Sequence, residues 1–406
     1  MLRTLSLSSL LGAALAAAPV AQSAPKIIGA TGVTPTVLSQ DVGTCAPMTC
    51  TPGGIGPAFN PFTGATAYDP TRGRGLWITD GLMLAKVDPR NSCAPLCPPI
   101  PFPNTTPNNP VTGMAYNEIT NTLFVTDLSN VIRWYNVSGS CSLTIVGRCI
   151  ATVPPGLRLT SCATDDLNGL IYYTATDPTM SGGIVFCAPQ TAPCSIICSF
   201  VVNSCGGNPM GPLVGAAWDA CQGGLWLTDG RQTTLRQLGA GCALGPELQC
   251  CINPTFEPYT GIDLLPSTED PAGPNCTSGT CNICPTMAHT LVGDPTLGNP
   301  SFGLLLDDAP SGSSAFVFLN IGACASPGVF APPLCAPLLV PVVPPPGSAG
   351  PFFVPGAGCG DVFLPLGPLP GAPSLCGLTL STQWVGFCPG GGTFSSNCLS
   401  WTITSS

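Results

Sequence analysis

Apolar residues come in short runs along this chain, broken by clusters of Gly, Pro, Asn and Asp, and one order of runs repeats. Its clearest copy is Gly113-Met-Ala-Tyr-Asn-Glu-Ile-Thr-Asn-Thr-Leu-Phe-Val-Thr-Asp127: an apolar run, a polar turn, then a second apolar run closed by Thr-Asp. Gly64 to Asp80 and Gly215 to Asp229 follow the same order, Ser161 to Thr174 follows it loosely, and a degraded copy opens at Gly261. The starts at 64, 113, 161, 215 and 261 lie 49, 48, 54 and 46 residues apart. That period, built from strand-sized pieces, predicts a ring of about five similar sheets, a β-propeller, in which each sheet hides its apolar faces on its neighbours.

Each piece of the repeat predicts an element. Asp69 to Gly73, Asn117 to Asn121, Asp166 to Gly169 and Asp219 to Gly223 combine side chains that bond their own backbone with residues that tolerate positive φ, so they read as hairpin turns. The runs after them, such as Leu76-Trp-Ile78 and Leu123-Phe-Val125, are continuously apolar, as expected of a strand covered on both faces. Third strands are expected at 82–87, 131–137 and 234–238. Outermost strands, rich in Pro and Cys, are expected at 93–102, 141–153 and 187–202, where prolines blunt exposed edges. Thr36 to Gln40 is the candidate ring-closing strand, with a sixth blade if residues 27–63 form more than that.

Leu123-Phe-Val-Thr-Asp-Leu-Ser-Asn-Val-Ile-Arg-Trp-Tyr135 resembles the repeat of NHL-type β-propellers, in which a strand ending in Asp leads through a polar turn to a strand ending in an aromatic or aliphatic pair. The resemblance spans about residues 60 to 300 and implies a ring-shaped binding scaffold. Three departures stand out: the turn after Asp80 shortens to Gly81, the third repeat lacks Thr-Asp in its proper place, and the fifth lacks the aromatic of its second strand.

Near Asn299-Pro300 the texture changes. From Ser301 to Ser406 the only charges are Asp307, Asp308 and Asp361, and apolar runs recur at 302–306, 315–321, 338–343, 362–366, 378–387 and 399–404. Such spacing suggests a β-sandwich. The expected organisation is all-β: residues 1–23 a signal peptide, 24–63 an N-terminal segment with the closing strand, 64–299 the propeller and 300–406 the sandwich. This arrangement is similar to architectures in the secreted proteomes of environmental bacteria.

Composition sharpens the picture. Charged residues make up 8% of the 406, the formal net charge is −9, and Lys26 and Lys86 are the only lysines, which argues against nucleic acid or an anionic membrane surface as partner. Met1-Leu2-Arg3, the apolar run Leu5 to Ala18, too short to span a bilayer, and Ala21-Gln-Ser23 before Ala24 read as a secretory leader, and no later run is long enough to span. Of 24 cysteines, 18 lie between Cys45 and Cys284 and six between Cys324 and Cys398, as intradomain disulfides formed in an oxidising compartment would leave them. Local pairs Cys45 with Cys50, Cys141 with Cys149, Cys324 with Cys335, and Cys388 with Cys398 are the candidate bridges, with essentially no free thiol left.

Little catalytic chemistry is available. His289 is the single histidine, so nucleophile-histidine schemes and multi-histidine metal sites have almost nothing to work with. Cys276, Cys281 and Cys284 with His289 offer four zinc ligands, a reading set against disulfide halves in an exported chain. Asp80, Asp127 and Asp229 recur in one register and either cap their turns or ring a channel that takes Ca²⁺. Trp77, Trp134, Trp218 and Trp226 fall on blade strands, and Trp134 with Tyr135 would stack on a sugar if they faced the rim. The resulting expectation is a secreted or cell-surface, non-enzymatic binding or structural protein without a cofactor, its partner an extracellular protein or a glycan. The alternative is a Ca²⁺-dependent hydrolase of lactonase or esterase type.

Overall fold

The computed structural model describes residues 26–31, 37–41, 47–51, 63–71, 74–138, 141–239, 243–252, 259–266, 269–284, 286–342, 345–356 and 358–405. The proposed leader lies outside them. The chain divides into two compact units, the first comprising Ala24–Pro266 with Pro370–Ser374 and Ser405–Ser406, the second Ser267–Leu369 with Leu375–Thr404.

Among the described residues the first unit has five antiparallel four-stranded sheets and one two-stranded hairpin, Ser204–Cys205 with Asn208–Pro209, which follows blade three and carries Cys205. Blade one is Ala65–Asp69, Gly75–Thr79, Met83–Asp88 and Ala94–Pro101; blade two is Val111–Asn117, Thr122–Asp127, Val131–Ser138 and Ser142–Ile150. Blade three is Arg158–Asp165, Leu170–Thr176, Gly183–Pro189 and Cys198–Val202; blade four is Gly215–Asp219, Gly224–Thr228, Gln232–Leu238 and Leu244–Ile252. Tyr259–Leu265 is the inner strand of blade five, and its other three strands come from the N-terminus: Lys26–Thr31, Val37–Asp41 and Pro47–Cys50. Three N-terminal strands, where one was expected, complete the last sheet. This is why the fifth repeat lacks a second strand of its own, since Lys26–Thr31 pairs along Tyr259–Leu265 in that place.

The inner strands pack side by side in order, and Tyr259–Leu265 packs on Ala65–Asp69 to close the ring. Convergence of five strands demands small residues. A Cβ on Gly113 would sit 2.5 Å from Cα of Ser161 in the next blade, and one on Gly261 would sit 2.9 Å from Cα of Ala65. Middle strands are apolar throughout because their alternate faces serve different neighbours: Leu123 and Val125 join Trp77, Leu84 and Phe102 of blade one, while Phe124 joins Tyr173 and Phe186 of blade three.

The outermost strands are exposed edges joined covalently from blade to blade. Cys50 bonds Cys93, Cys97 bonds Cys141, Cys149 bonds Cys194 and Cys205 bonds Cys250, with sequence separations of 43, 44, 45 and 45. The expected local bridges are thereby overturned: Cys50 and Cys141 pair with cysteines one blade away, and Cys45 lies outside the described residues. In the second unit Cys324 bonds Cys398, Cys335 bonds Cys276 and Cys388 bonds Cys281, so the local pairs expected there do not form either. Adjacent cysteines in sequence face neighbouring strands that lie adjacent only after the blades have assembled.

The second unit holds a seven-stranded sheet centred on Ser314–Ile321 and Thr379–Phe387, and a three-stranded sheet of Ala288–Val292, Gly303–Pro310 and Cys359–Pro365. Phe302 meets Trp401 edge-on at 5.0 Å and His289 meets Trp384 at 6.4 Å, so aromatic side chains fill the space between the two sheets. Ser267–Leu369 and Leu375–Thr404 belong here, whereas the boundary was expected at 299. Three disulfides, Cys276 to Cys335, Cys281 to Cys388 and Cys284 to Cys359, cross the expected division into two separate cysteine groups. Of the run 338–343, the described part 338–342 has an isolated bridge, Leu338 with Val329, in place of a strand, consistent with Pro341 inside it.

Candidate functional site

Blade geometry puts the sequence-predicted acids in turns. Asp80 Oδ1 accepts bonds from the amides of Leu82 and Met83 at 2.9 and 2.8 Å, and Asp229 Oδ1 from those of Arg231 and Gln232 at 2.8 and 2.7 Å. Asp127 Oδ1 accepts from Ser129 and Val131 at 2.8 and 3.1 Å, while its Oδ2 meets the Arg133 guanidinium at 2.7 Å. In blades one and four the preceding threonine completes the turn: Thr79 and Thr228 donate to the carbonyls of Met83 and Gln232 at 2.5 and 2.8 Å. The third blade carries Ala175 where the others have the acid, and Asp177 caps its longer turn through the Thr179 amide at 2.8 Å.

Tyr135 and Trp134 point opposite ways along their strand. Tyr135 is fully buried between blades one and two, its hydroxyl donating to the Pro103 carbonyl at 3.0 Å and its ring edge-on to Phe102 at 6.0 Å. Trp134 packs against the cluster between blades two and three and lies over Gly147 of the outermost strand. The expected rim stacking pair is therefore split. Burial holds the His289 imidazole down at about 4; its Nδ1 lies 3.3 Å from the Asn397 carbonyl oxygen, its Nε2 3.4 Å from Thr382 Oγ1. Cys276, Cys281 and Cys284 are all in disulfides, which removes the thiolates a zinc site would need.

A pocket that sequence reasoning missed opens at the axis, at the carboxyl ends of the inner strands, and every blade contributes to it. Tyr68 comes from blade one, Tyr116 and Glu118 from blade two, Cys162 and Thr164 from blade three, Trp218 from blade four and Asp263 from blade five. Its enclosed volume is about 20 Å³, room for a single water-sized group. Trp218 stacks on Tyr172 with centroids 5.2 Å apart.

Asp263 occupies the register position that Ala67, Ala115, Ala163 and Ala217 hold in the other blades. It accepts from the Tyr68 amide of the neighbouring blade at 2.5 Å and from the Leu264 amide at 2.8 Å. Asp166, in the turn after the inner strand of blade three, accepts from the Glu118 amide at 2.8 Å and from Gln190 Nε2 at 3.2 Å. Burial pushes both carboxyls up to about 7 against the pull of these donors, and Asp166 raises Asp263 further by its charge. By contrast Asp69, at the end of the blade-one inner strand, is neutralised by Lys86, whose Nζ lies 2.5 Å away and 5.1 Å from the Trp77 ring. The clue in the sequence was the break in the repeat itself, an acid standing where the other copies have alanine.

Blade three also holds two free thiols, contrary to the expectation of essentially none: Cys162 and Cys187 are buried and unbonded. Burial raises both, Cys187 to about 11, so neither is a ready thiolate.

No family model matches the chain, and no curated protein matches it. Among solved structures, it is similar to the β-propeller domain of Cps50 (Swd1) from Myceliophteria thermophila, with 11% identity, a TM-score of 0.33, and 56% of this chain and 71% of that one covered. It is similar to a chain of the nidogen/laminin complex at 11% identity and TM-score 0.37, covering 59% and 98%, and to the WD40 domain of Toxoplasma gondii coronin at 11% and 0.34, covering 64% and 60%. At these low scores the likenesses add nothing to the ladder pattern, on which the propeller assignment rests.

Proposed function

We propose that the protein is an exported, non-enzymatic binding protein whose propeller presents the axial pocket as its ligand site, with the two-sheet C-terminal unit acting as a β-sandwich contact module. One observation carries the reading: all five blades converge on the pocket, and they place three aromatic side chains and two carboxyls there among small apolar ones. The blade-to-blade disulfides support export, since such bonds persist in oxidising compartments, and the leader-like N-terminus agrees. The Ca²⁺-dependent hydrolase alternative rests on Asp80, Asp127 and Asp229, each of which already accepts two backbone amides through one oxygen.

An NMR fragment screen tests this directly. Fragments that perturb the side chains of Tyr68, Tyr116 and Trp218 are the expected result; hits that map only to other surfaces, or none at all, would falsify it.

A further inference from the structure

We infer that the axial pocket receives a primary ammonium group, carried by a free amine or by the lysine side chain of a protein partner. The inference rests on the reading of this pocket as the ligand site and names what enters it.

Size comes first. A volume of about 20 Å³ is enough for one water-sized head, which an ammonium is. Sign comes second. Among the described residues the lining contains Glu118 and Asp263 and no basic side chain, and Asp166 stands beside it, accepting from the Glu118 amide at 2.8 Å. Elsewhere in the blades acids meet cations supplied by this chain: Asp69 meets Lys86, Asp127 meets Arg133 and Glu247 meets Arg236. Among the described residues, no ion pair involves Asp166 or Asp263. An acid in a water-poor site with a second carboxyl nearby lowers its energy when a donor cation enters beside it.

The walls then choose between cations. Tyr116 and Trp218 line the pocket, and aromatic walls favour an organic ammonium by cation-π attraction, as the Tyr68 ring already does for the Arg90 guanidinium 5.6 Å from its centroid. A hard metal ion asks instead for several converging oxygens. Among the described residues the three carboxylates that approach one another closely enough to share an ion are Asp307, Asp308 and Asp361, far along the chain in the second unit, and not the axial acids.

Titration calorimetry on the full oxidised chain at pH 8 tests the inference, with n-butylamine, putrescine, a lysine-containing peptide, its trimethyl-lysine counterpart, and KCl and CaCl₂ as probes. The titratable groups lining the pocket are Tyr68, Tyr116, Glu118, Cys162 and Asp263; behind them stand Asp166 on the Glu118 amide, Arg90 over the Tyr68 ring, and the Asp69–Lys86 pair. Binding of the free amines points to a small-molecule source and binding of the peptide alone to a protein partner; either supports the inference. Asp263→Asn should weaken binding about tenfold by removing a charge-assisted bond, and binding should weaken as pH falls below 7. Asp263→Glu, which keeps the charge, controls for loss of fold. Preference for the trimethylated peptide, or amine binding unchanged in Asp263→Asn, overturns it. Binding of Ca²⁺ or K⁺ alone overturns the ammonium while leaving a ligand site; fragments that map to the pocket while every amine fails do the same. No binding of any kind defeats both readings.

Discussion

The rim and the axis of the propeller solve the same problem, holding five sheets together, by different chemistry. At the axis the inner strands lie so close that Gly113 and Gly261 leave no room for larger side chains, and close packing with hydrogen bonds, such as the Tyr68 amide to Asp263 and the Ala216 amide to Ser161, joins the blades without a covalent bond. At the rim the outermost strands diverge, expose Ile145, Val146, Ile150, Val201 and Leu248 to solvent, and have little core to pack on. Covalent bonds replace packing there. A disulfide closing a loop of about 45 residues is worth about 4 kcal/mol in the chain-entropy model, comparable to burying two large apolar side chains. Cohesion thus passes from van der Waals contact to sulfur as the distance from the axis grows.

Breaking the rim should have the largest effect. The double variant Cys149→Ser with Cys194→Ser should lose about 2 to 5 kcal/mol in denaturant unfolding. A loss under about 1 kcal/mol would mean that the outer strands cohere without the bond. At the axis, Gly113→Val should cost about 1 to 3 kcal/mol, because its side chain would collide with the backbone of the next blade; a neutral result would show that the inner strands are not so tightly packed.

The third prediction concerns the sign of a pH dependence. Asp166 and Asp263 titrate near 7 in the folded chain and at the ordinary carboxylate value when unfolded, so the folded state holds more protons between about pH 4 and 7. Their contribution to stability is present at low pH and is lost as pH rises through 7. His289, held neutral by burial, contributes the opposite slope below its ordinary value of 6.5, so the comparison should be between wild type and Asp263→Asn. The variant should gain in melting temperature relative to wild type on going from pH 5 to pH 8, and a constant difference would refute the assignment. The smallest effect belongs to the exposed rim: Ile150→Ser, on a residue 71% exposed, should change stability by less than about 0.5 kcal/mol.

What was legible in the sequence was whatever is decided locally. The Leu-Trp-Ile-Thr-Asp run predicts a covered strand and a capped turn because both depend on residues within a few positions, and Asp80, Thr79 and the Met83 amide meet as that logic requires. Cysteine pairing failed for the opposite reason. Cys141 lies eight positions from Cys149, yet each bonds one blade away, since the neighbour that matters is set by the ring. A signal was present: the bonded separations of 43 to 45 track the repeat period and do not match the short cysteine spacings within a blade. The axial pocket was hard to read because its lining arrives one to four residues at a time from five repeats. Trp218, read as blade core, turned out to face it.

The claim that the blades are joined edge to edge by sulfur is tested most directly by non-reducing peptide mapping of the oxidised protein. Linked peptides containing Cys97 with Cys141, Cys149 with Cys194 and Cys205 with Cys250 are the predicted result, with Cys162 and Cys187 alkylated only after denaturation. A peptide in which Cys141 is bonded to Cys149 would contradict it.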